Sequence, residues 1–267
     1  MVPLPATAAI IFYAAASVWQ VRALAGEGAR NARAPAVLAL AAVALHTAAL
    51  VGAWRTIGGI DMHFFAALSL VALGTAALTA TLALARPIAA LGVVVYPCAA
   101  ILLALYPLAS RLVPTDAAAQ WQIQLHAGLS LLAYAALSLA ALLAIMLWLQ
   151  ERALRRRRLG AWLDLFPPLT LVETLMFRLI LAGFALLTLA LISGLVFVEN
   201  LFAQHLVHKT VLSLLAWLVF GALLHGRLRY GWRGRRAVRW TLSAMILLAL
   251  AFFGSKFVLE VVLARGA

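Results

Sequence analysis

An apolar run that opens at His208 and closes at His225 is followed by six arginines: Arg227, Arg229, Arg233, Arg235, Arg236 and Arg239. A second apolar run then begins at Trp240. A helix of about 20 residues, rising ~1.5 Å at each, is as long as the hydrocarbon layer of a bilayer is thick. Backbone in that layer must satisfy its own hydrogen bonds, so a run of this kind folds as a spanning helix. The arginine cluster marks the end that faces the cytoplasm. A span with an imidazole near each end is expected to do more than anchor the chain.

The same alternation recurs along the sequence. The expected spans run from Pro5 to Leu24, Pro35 to Ala53, His63 to Leu84 and Ile88 to Ser110. They continue from Trp121 to Gln150, Glu173 to Val198, through the His208 run, and from Trp240 to Leu263. The fold class expected is therefore all-α: a polytopic transmembrane helical bundle of eight spans, both termini periplasmic, forming one integral membrane domain over residues 1–267. Fifteen of the 21 Lys and Arg fall on the loops of one side, which sets the orientation. A net charge of +13 could suit nucleic acid, but these positions are those of topology determinants, and nucleic-acid binding is not expected. With 66% hydrophobic residues and eight acidic ones, the composition is far from that of a soluble domain. Cys98 is the only cysteine, so no disulfide or CxxC redox pair forms within the chain. The start, MVPLPATAAIIFY, lacks a basic n-region and a small-residue cleavage site, and reads as a retained first helix.

Ionisable side chains inside a bilayer cost about 2.5–3.5 kcal/mol each on insertion scales, so each one asks for a reason. His46 lies in the outer half of the second span and His126 about five residues into the fifth, at depths that differ by only ~3 Å at 1.5 Å per residue. Neutral imidazole is tolerated there and can still ligate iron. Ala127 and Gly128 beside His126 leave room for a large flat group. His208 opens the seventh span, and His225 lies near its inner end. His63 and His205 fall where water reaches and read as interfacial. The other reading of the whole set is interhelical hydrogen bonding. Zinc is poorly served, with no HExxH and only Asp61 and Asp116 near histidines on the outer side. A proton relay lacks its mid-membrane carboxylate. Glu173 either pairs with Arg178 or stands apart from it, and Lys256 and Glu260 form an i,i+4 pair. Trp217, in mid-helix, needs a partner for its indole N–H or an apolar pocket.

Over residues 121–257 the chain resembles the CcsA family of cytochrome c assembly proteins, in its short HemX/YpjD-like branch. The segments that carry the resemblance are HAGLSLLAYAALSLAALLA from His126, VETLMFRLILAGFALLTLALISGLVF from Val172, HKTVLSLLAWLVFGALLHGRLRYGWRGRRA from His208, and FFGSK from Phe252. The resemblance implies that His126 matches an external haem histidine, His225 an inner transmembrane haem histidine, and His46 the transmembrane histidine of the short branch. Lys209 and Trp217 fall on residues of the same family segment. Two departures stand out: the loop from Glu199 to His208 has no tryptophan and no WD pair, and the second external histidine would fall near Leu263.

The cofactor implied is haem, b-type and non-covalently held. His46, His126, His208 and His225 are the candidate ligands, Arg55, Lys209, Arg227 and Arg229 the candidate partners of its propionates, and Trp217 a candidate pocket residue. The resemblance suggests His46 with His225, whereas the expected helix limits separate these by ~15 Å in depth at 1.5 Å per residue. Depth favours His46 with His126, or His126 with His208. The expected function is haem binding or handling in the inner membrane, with another membrane protein of cytochrome assembly as partner and without stand-alone synthase activity. The alternative is a non-catalytic assembly or regulatory partner whose histidines are structural.

Overall fold

The computed structural model describes residues 4–25, 33–57, 63–86, 88–109, 121–156, 166–197 and 207–254. His205, Asp61, Asp116, Lys256, Glu260, Leu263 and most of the Glu199–His208 loop lie outside them, as does the side chain of His208. All regular structure among the described residues is helical: α1 Leu4–Leu24, α2 Ala34–Ile57, α3 Phe64–Ala85, α4 Gly92–Ala109, α5 Trp121–Arg155, α6 Leu169–Phe197, α7 Val207–Tyr230 and α8 Gly234–Ala249. Seven of these are long and apolar enough to cross a bilayer; the apolar stretch of the remaining one, Gly92–Pro107, is shorter. It begins four residues later than the sequence suggested. Arg86, which precedes a proline, is held extended, and a 3-10 turn over Ala89–Leu91 takes up the next residues.

The helices form two compact units, α1–α4 and α5–α8. In the first, α1 packs on α2 and α4, and α3 on α2 and α4. Its core is mostly alanine, with Ala9, Ala16, Ala39, Ala42, Ala67, Ala76 and Ala80 wholly buried. Between spanning helices small residues let the backbones approach, and van der Waals contact then replaces the hydrophobic drive that lipid does not supply. Thr75 and Thr79 each donate to the carbonyl four residues back, at 2.8 and 2.7 Å, so their buried hydroxyls are satisfied within α3.

In the second unit each helix runs antiparallel to its neighbours. Trp217 bonds Thr188 while Arg227 bonds Glu173, so α7 descends as α6 rises. α5 and α6 pack closely: a Cβ on Gly183 would stand 2.6 Å from Leu137 Cγ. Tyr134 of α5 donates to the Leu248 carbonyl oxygen, just ahead of a π turn over Leu250–Gly254, and Phe252 and Phe253 pack on the Tyr134 ring.

At the arginine end, α6, α7 and the turn before α8 meet on one carboxylate. Glu173 Oε1 accepts from Arg227 at 2.8 Å and from Arg233 Nε at 3.1 Å. The Arg227 guanidinium also lies 4.6 Å from the centre of the Phe177 ring and donates to the Trp232 carbonyl. Glu173 therefore does not pair along its own helix with Arg178, which is exposed; it stands apart from that residue, on partners brought by other segments. Gly231 and Gly234 both take left-handed backbone, φ 63° and 54°, and reverse the chain within three residues. That reversal is why α8 starts at Gly234 rather than Trp240. Arg235, Arg236 and Arg239 belong to its first turns, and arginine is a good helix former.

Two outcomes follow from this packing. Gly183→Val drives a side chain into Leu137 and should cost about 1–3 kcal/mol in a detergent unfolding titration; an unchanged midpoint would mean that α5 and α6 do not approach this closely. Glu173→Gln removes the charge that two guanidiniums share and should destabilise by roughly 1–3 kcal/mol. Arg178→Gln, measured beside it, should leave the midpoint where it was.

Candidate functional site

His126 stands one and a half turns into α5 and turns its ring onto α6. Ala190, Ser193 and Gly194 lie at i, i+3 and i+4, so they share the face that α6 presents to it. Nδ1 of His126 is 2.9 Å from the Ala190 carbonyl oxygen and 3.0 Å from Ser193 Oγ. A carbonyl oxygen only accepts, so the proton sits on Nδ1. The Ser193 hydroxyl spends its own hydrogen on Ala190, at 2.8 Å, and so receives from the imidazole through its lone pair. The tautomer is thereby fixed, and Nε2 carries the free lone pair. Among the described residues Nε2 makes no hydrogen bond. Gly194 gives the ring its place, since a Cβ there would stand 3.1 Å from His126 Cε1. A Cβ at Gly128 would meet no atom within 4 Å, but two residues on from His126 it lies on another face of α5.

Lys209, in the first turn of α7, belongs to the same end of this unit. Trp217 is level with Thr188, so eight residues earlier on the antiparallel α7 lies beside the last turns of α6, where His126 is held. His208 precedes Lys209 in that turn. Trp217 itself finds both things its position demanded. Its Nε1–H donates to Thr188 Oγ1 at 2.9 Å, and its indole stacks on Phe184 with centroids 5.5 Å apart and planes at 17°.

His225 is at the opposite end. It is exposed in the last turn of α7, with Tyr230 as its ring neighbour at 6.1 Å. Arg227, two residues on, reaches Glu173, while His126 reaches Ala190; seventeen residues of α6 separate those contacts, about 25 Å at 1.5 Å per residue. His126 and His225 thus do not converge. Arg229 is exposed, and Arg227 is committed to Glu173.

His46, in the other unit, is 0% exposed, and both ring nitrogens are engaged. Nε2 lies 2.9 Å from Ser69 Oγ on α3, and Nδ1 lies 3.4 Å from the Tyr13 hydroxyl on α1. Tyr13 stacks in turn on Tyr96 of α4, so one buried polar knot draws on all four helices. Sequence reasoning did not find Tyr13 and Ser69, because nothing in their spacing joins three separate helices. Arg55 is exposed near the end of α2. His63 is not an interfacial ring with a wetted tip: it is 6% exposed and lies 5.3 Å from the Tyr106 ring. A hollow of about 400 Å³ opens between α1, α2 and α4, lined by Ala6, Ala49, Gly52, Tyr106 and Pro107 among others, with no His, Cys or Met in its wall. Among the described residues no three His, Cys, Asp or Glu side chains converge as a metal site would require.

A haem-binding pocket needs an imidazole with one nitrogen anchored and the other presented. In metalloproteins a ligating histidine donates its second N–H to a carbonyl or carboxylate, which sets the ring's orientation and raises its basicity. His126 meets that description in this structure, and His46 does not unless its bond to Ser69 opens.

The profile of the cytochrome C assembly protein family matches residues 32–263. The inner membrane protein YpjD of Escherichia coli strain K12 is 42% identical over 137 residues, 51% of this chain and 52% of that protein. An uncharacterised 28.8 kDa protein of Azospirillum brasilense is 38% identical over 143 residues, 53% of each chain. The cytochrome c biogenesis protein CcsA of Synechococcus sp. strain CC9311 is 28% identical over 174 residues, 55% of this chain and 56% of that one. The matched part thus spans about half the length of these relatives, and no solved structure matches. With seven helices among the described residues long and apolar enough to cross a bilayer and a family match over most of its length, this multi-pass inner-membrane protein belongs to the cytochrome c assembly protein family.

Proposed function

We propose that this protein binds haem non-covalently in the inner membrane as part of cytochrome c assembly or haem handling, with His126 Nε2 as an iron ligand. The observation that carries the reading is the anchored Nδ1: Ala190 and Ser193 hold the imidazole in the one tautomer whose free nitrogen points away from α6. Bound haem would supply an iron able to accept an electron pair from a neutral imidazole. The chain's own work is to orient that ring, to keep it unprotonated among apolar helices, and to offer cations to the propionates. Lys209 suits the last task because it shares the His126 end of its unit, and His208, in the same turn of α7, is a second residue that would help to hold the iron. His225 and the exposed Arg229 form a separate candidate site at the arginine end. With Cys98 as the lone cysteine, the chain has no thiol pair to attach a porphyrin to itself, which supports a b-type cofactor. Holding haem for a partner membrane protein, rather than attaching it to a cytochrome alone, fits this set of groups.

A second reading gains one specific support. His46, bonded on both sides, is a structural histidine in the form it takes here, so the reading of a non-catalytic assembly partner applies to the first unit.

The two readings part on a spectrum. Protein purified in mild detergent, with and without added haemin, should show a Soret band that is lost or strongly reduced in His126→Ala. His46→Ala should keep the band while losing roughly 1–3 kcal/mol of stability. Absence of any band in the wild type, or an unaltered band in His126→Ala, removes the ligand assignment. Ser193→Ala leaves the ring hydrogen-bonded to Ala190 alone and should weaken haem binding about 10-fold, near the low end of second-shell effects. A titration with haemin reads that change directly.

A further inference from the structure

At the arginine end of the second unit, the last turns of α5 and the first turns of α8 line an open groove of about 480 Å³. Its wall holds five guanidiniums, Arg152, Arg155, Arg156, Arg235 and Arg239, with Trp148 and Val238 as its apolar part. The Arg152 guanidinium lies 5.2 Å from the centre of the Trp148 ring. Among the described residues the carboxylate beside this group is Glu151, which reaches Arg235 at 4.0 Å. Glu151 also fronts the start of α8, where a Cβ on Gly234 would stand 2.7 Å from its Oε1. α8 has no acidic residue in its first turn and no side-chain cap, so its amide dipoles add to the positive field. Five exposed cations face one carboxylate here, so the groove carries a net positive field that favours an anion.

We propose that this groove binds the phosphodiester headgroup of an anionic membrane phospholipid. Guanidinium forks match phosphate oxygens in pairs, and basic pockets between helix ends are where anionic headgroups are recognised. A tryptophan at such a depth packs beside the glycerol and the start of the acyl chains. The apolar part of the lining, Trp148 and Val238, favours a lipid over a bare ion, which would need only the cations. None of these residues takes part in the haem reading, so the two proposals stand or fall separately.

The test reconstitutes the full chain into nanodiscs of phosphatidylcholine, either alone or mixed with phosphatidylglycerol. Phosphatidylglycerol should raise the melting temperature by roughly 5–10 °C, the shift expected for a ligand near 100-fold its Kd. Glycerol phosphate added to pure phosphatidylcholine discs should not reproduce the shift. Arg152→Gln with Arg239→Gln should abolish most of it. An equal shift from glycerol phosphate would assign the groove to soluble phosphate and overturn the lipid claim, as would a full shift in the double variant. Should that variant not fold, native mass spectrometry of the wild type released from mixed discs decides the matter. Retained phosphatidylglycerol, reduced in Arg152→Lys with Arg239→Lys, supports the site, and its absence overturns it.

Discussion

Inside a bilayer a polar side chain has no water to turn to, so each must find its partner in the protein or do without one. The histidines of this chain divide on that constraint. His46 is satisfied on both nitrogens by Ser69 and Tyr13, and through Tyr13 it is joined to Tyr96, so its unit closes around a complete polar centre. His126 is satisfied on one side only, by a carbonyl that cannot donate back. The first arrangement removes chemistry from the imidazole. The second concentrates it on one atom and aims that atom away from the helix that holds the ring.

The same constraint explains why α6 has the composition it does. Towards one end it presents Ala190, Ser193 and Gly194, small enough for a ring to sit against the backbone. Towards the other it presents Glu173, buried and holding Arg227 and Arg233. Between them, Thr188 and Phe184 receive the indole of Trp217. One helix therefore carries a neutral site and a charged site some 25 Å apart at 1.5 Å per residue, and antiparallel α5 and α7 each bring a functional group to a different end.

Much of this was legible in the sequence, and what was not has a common cause. Apolar run lengths and arginine positions located the helices, because those are properties of single segments facing one solvent. The need of Trp217 for a partner was legible too, since an indole N–H in mid-span cannot be left alone. The identity of that partner was not. Tyr13, Ser69 and Ser193 are ordinary residues in their own helices, and only the packing of separate helices makes them neighbours of an imidazole. Glu173 illustrates the same gap: its local neighbour Arg178 faces outward, while its actual partners come from fifty-four and sixty residues away in sequence. The start of α8 was misjudged for another reason. Apolarity begins at Trp240, but helical structure begins where Gly231 and Gly234 finish the reversal, and a helix can open on arginines in the headgroup layer. His63 reads as wet from its place at a helix end, yet the aromatic ring of Tyr106 covers it.

The two ends of the α5–α8 unit also differ in what they ask of a ligand. At the His126 end the group on offer is an uncharged lone pair held in a fixed direction, which distinguishes ligands by their power to accept an electron pair and is indifferent to salt. At the arginine end the groups on offer are mobile cations, which distinguish ligands by charge and are screened by salt over about 10 Å at 0.1 M. A molecule carrying both an electron-pair acceptor and carboxylates would need a cation near the first end as well, and Lys209 lies in the first turn of α7 at that end. The arginines on the far side are too distant to assist it. The separation along α6 therefore leaves the two ends with independent charge environments.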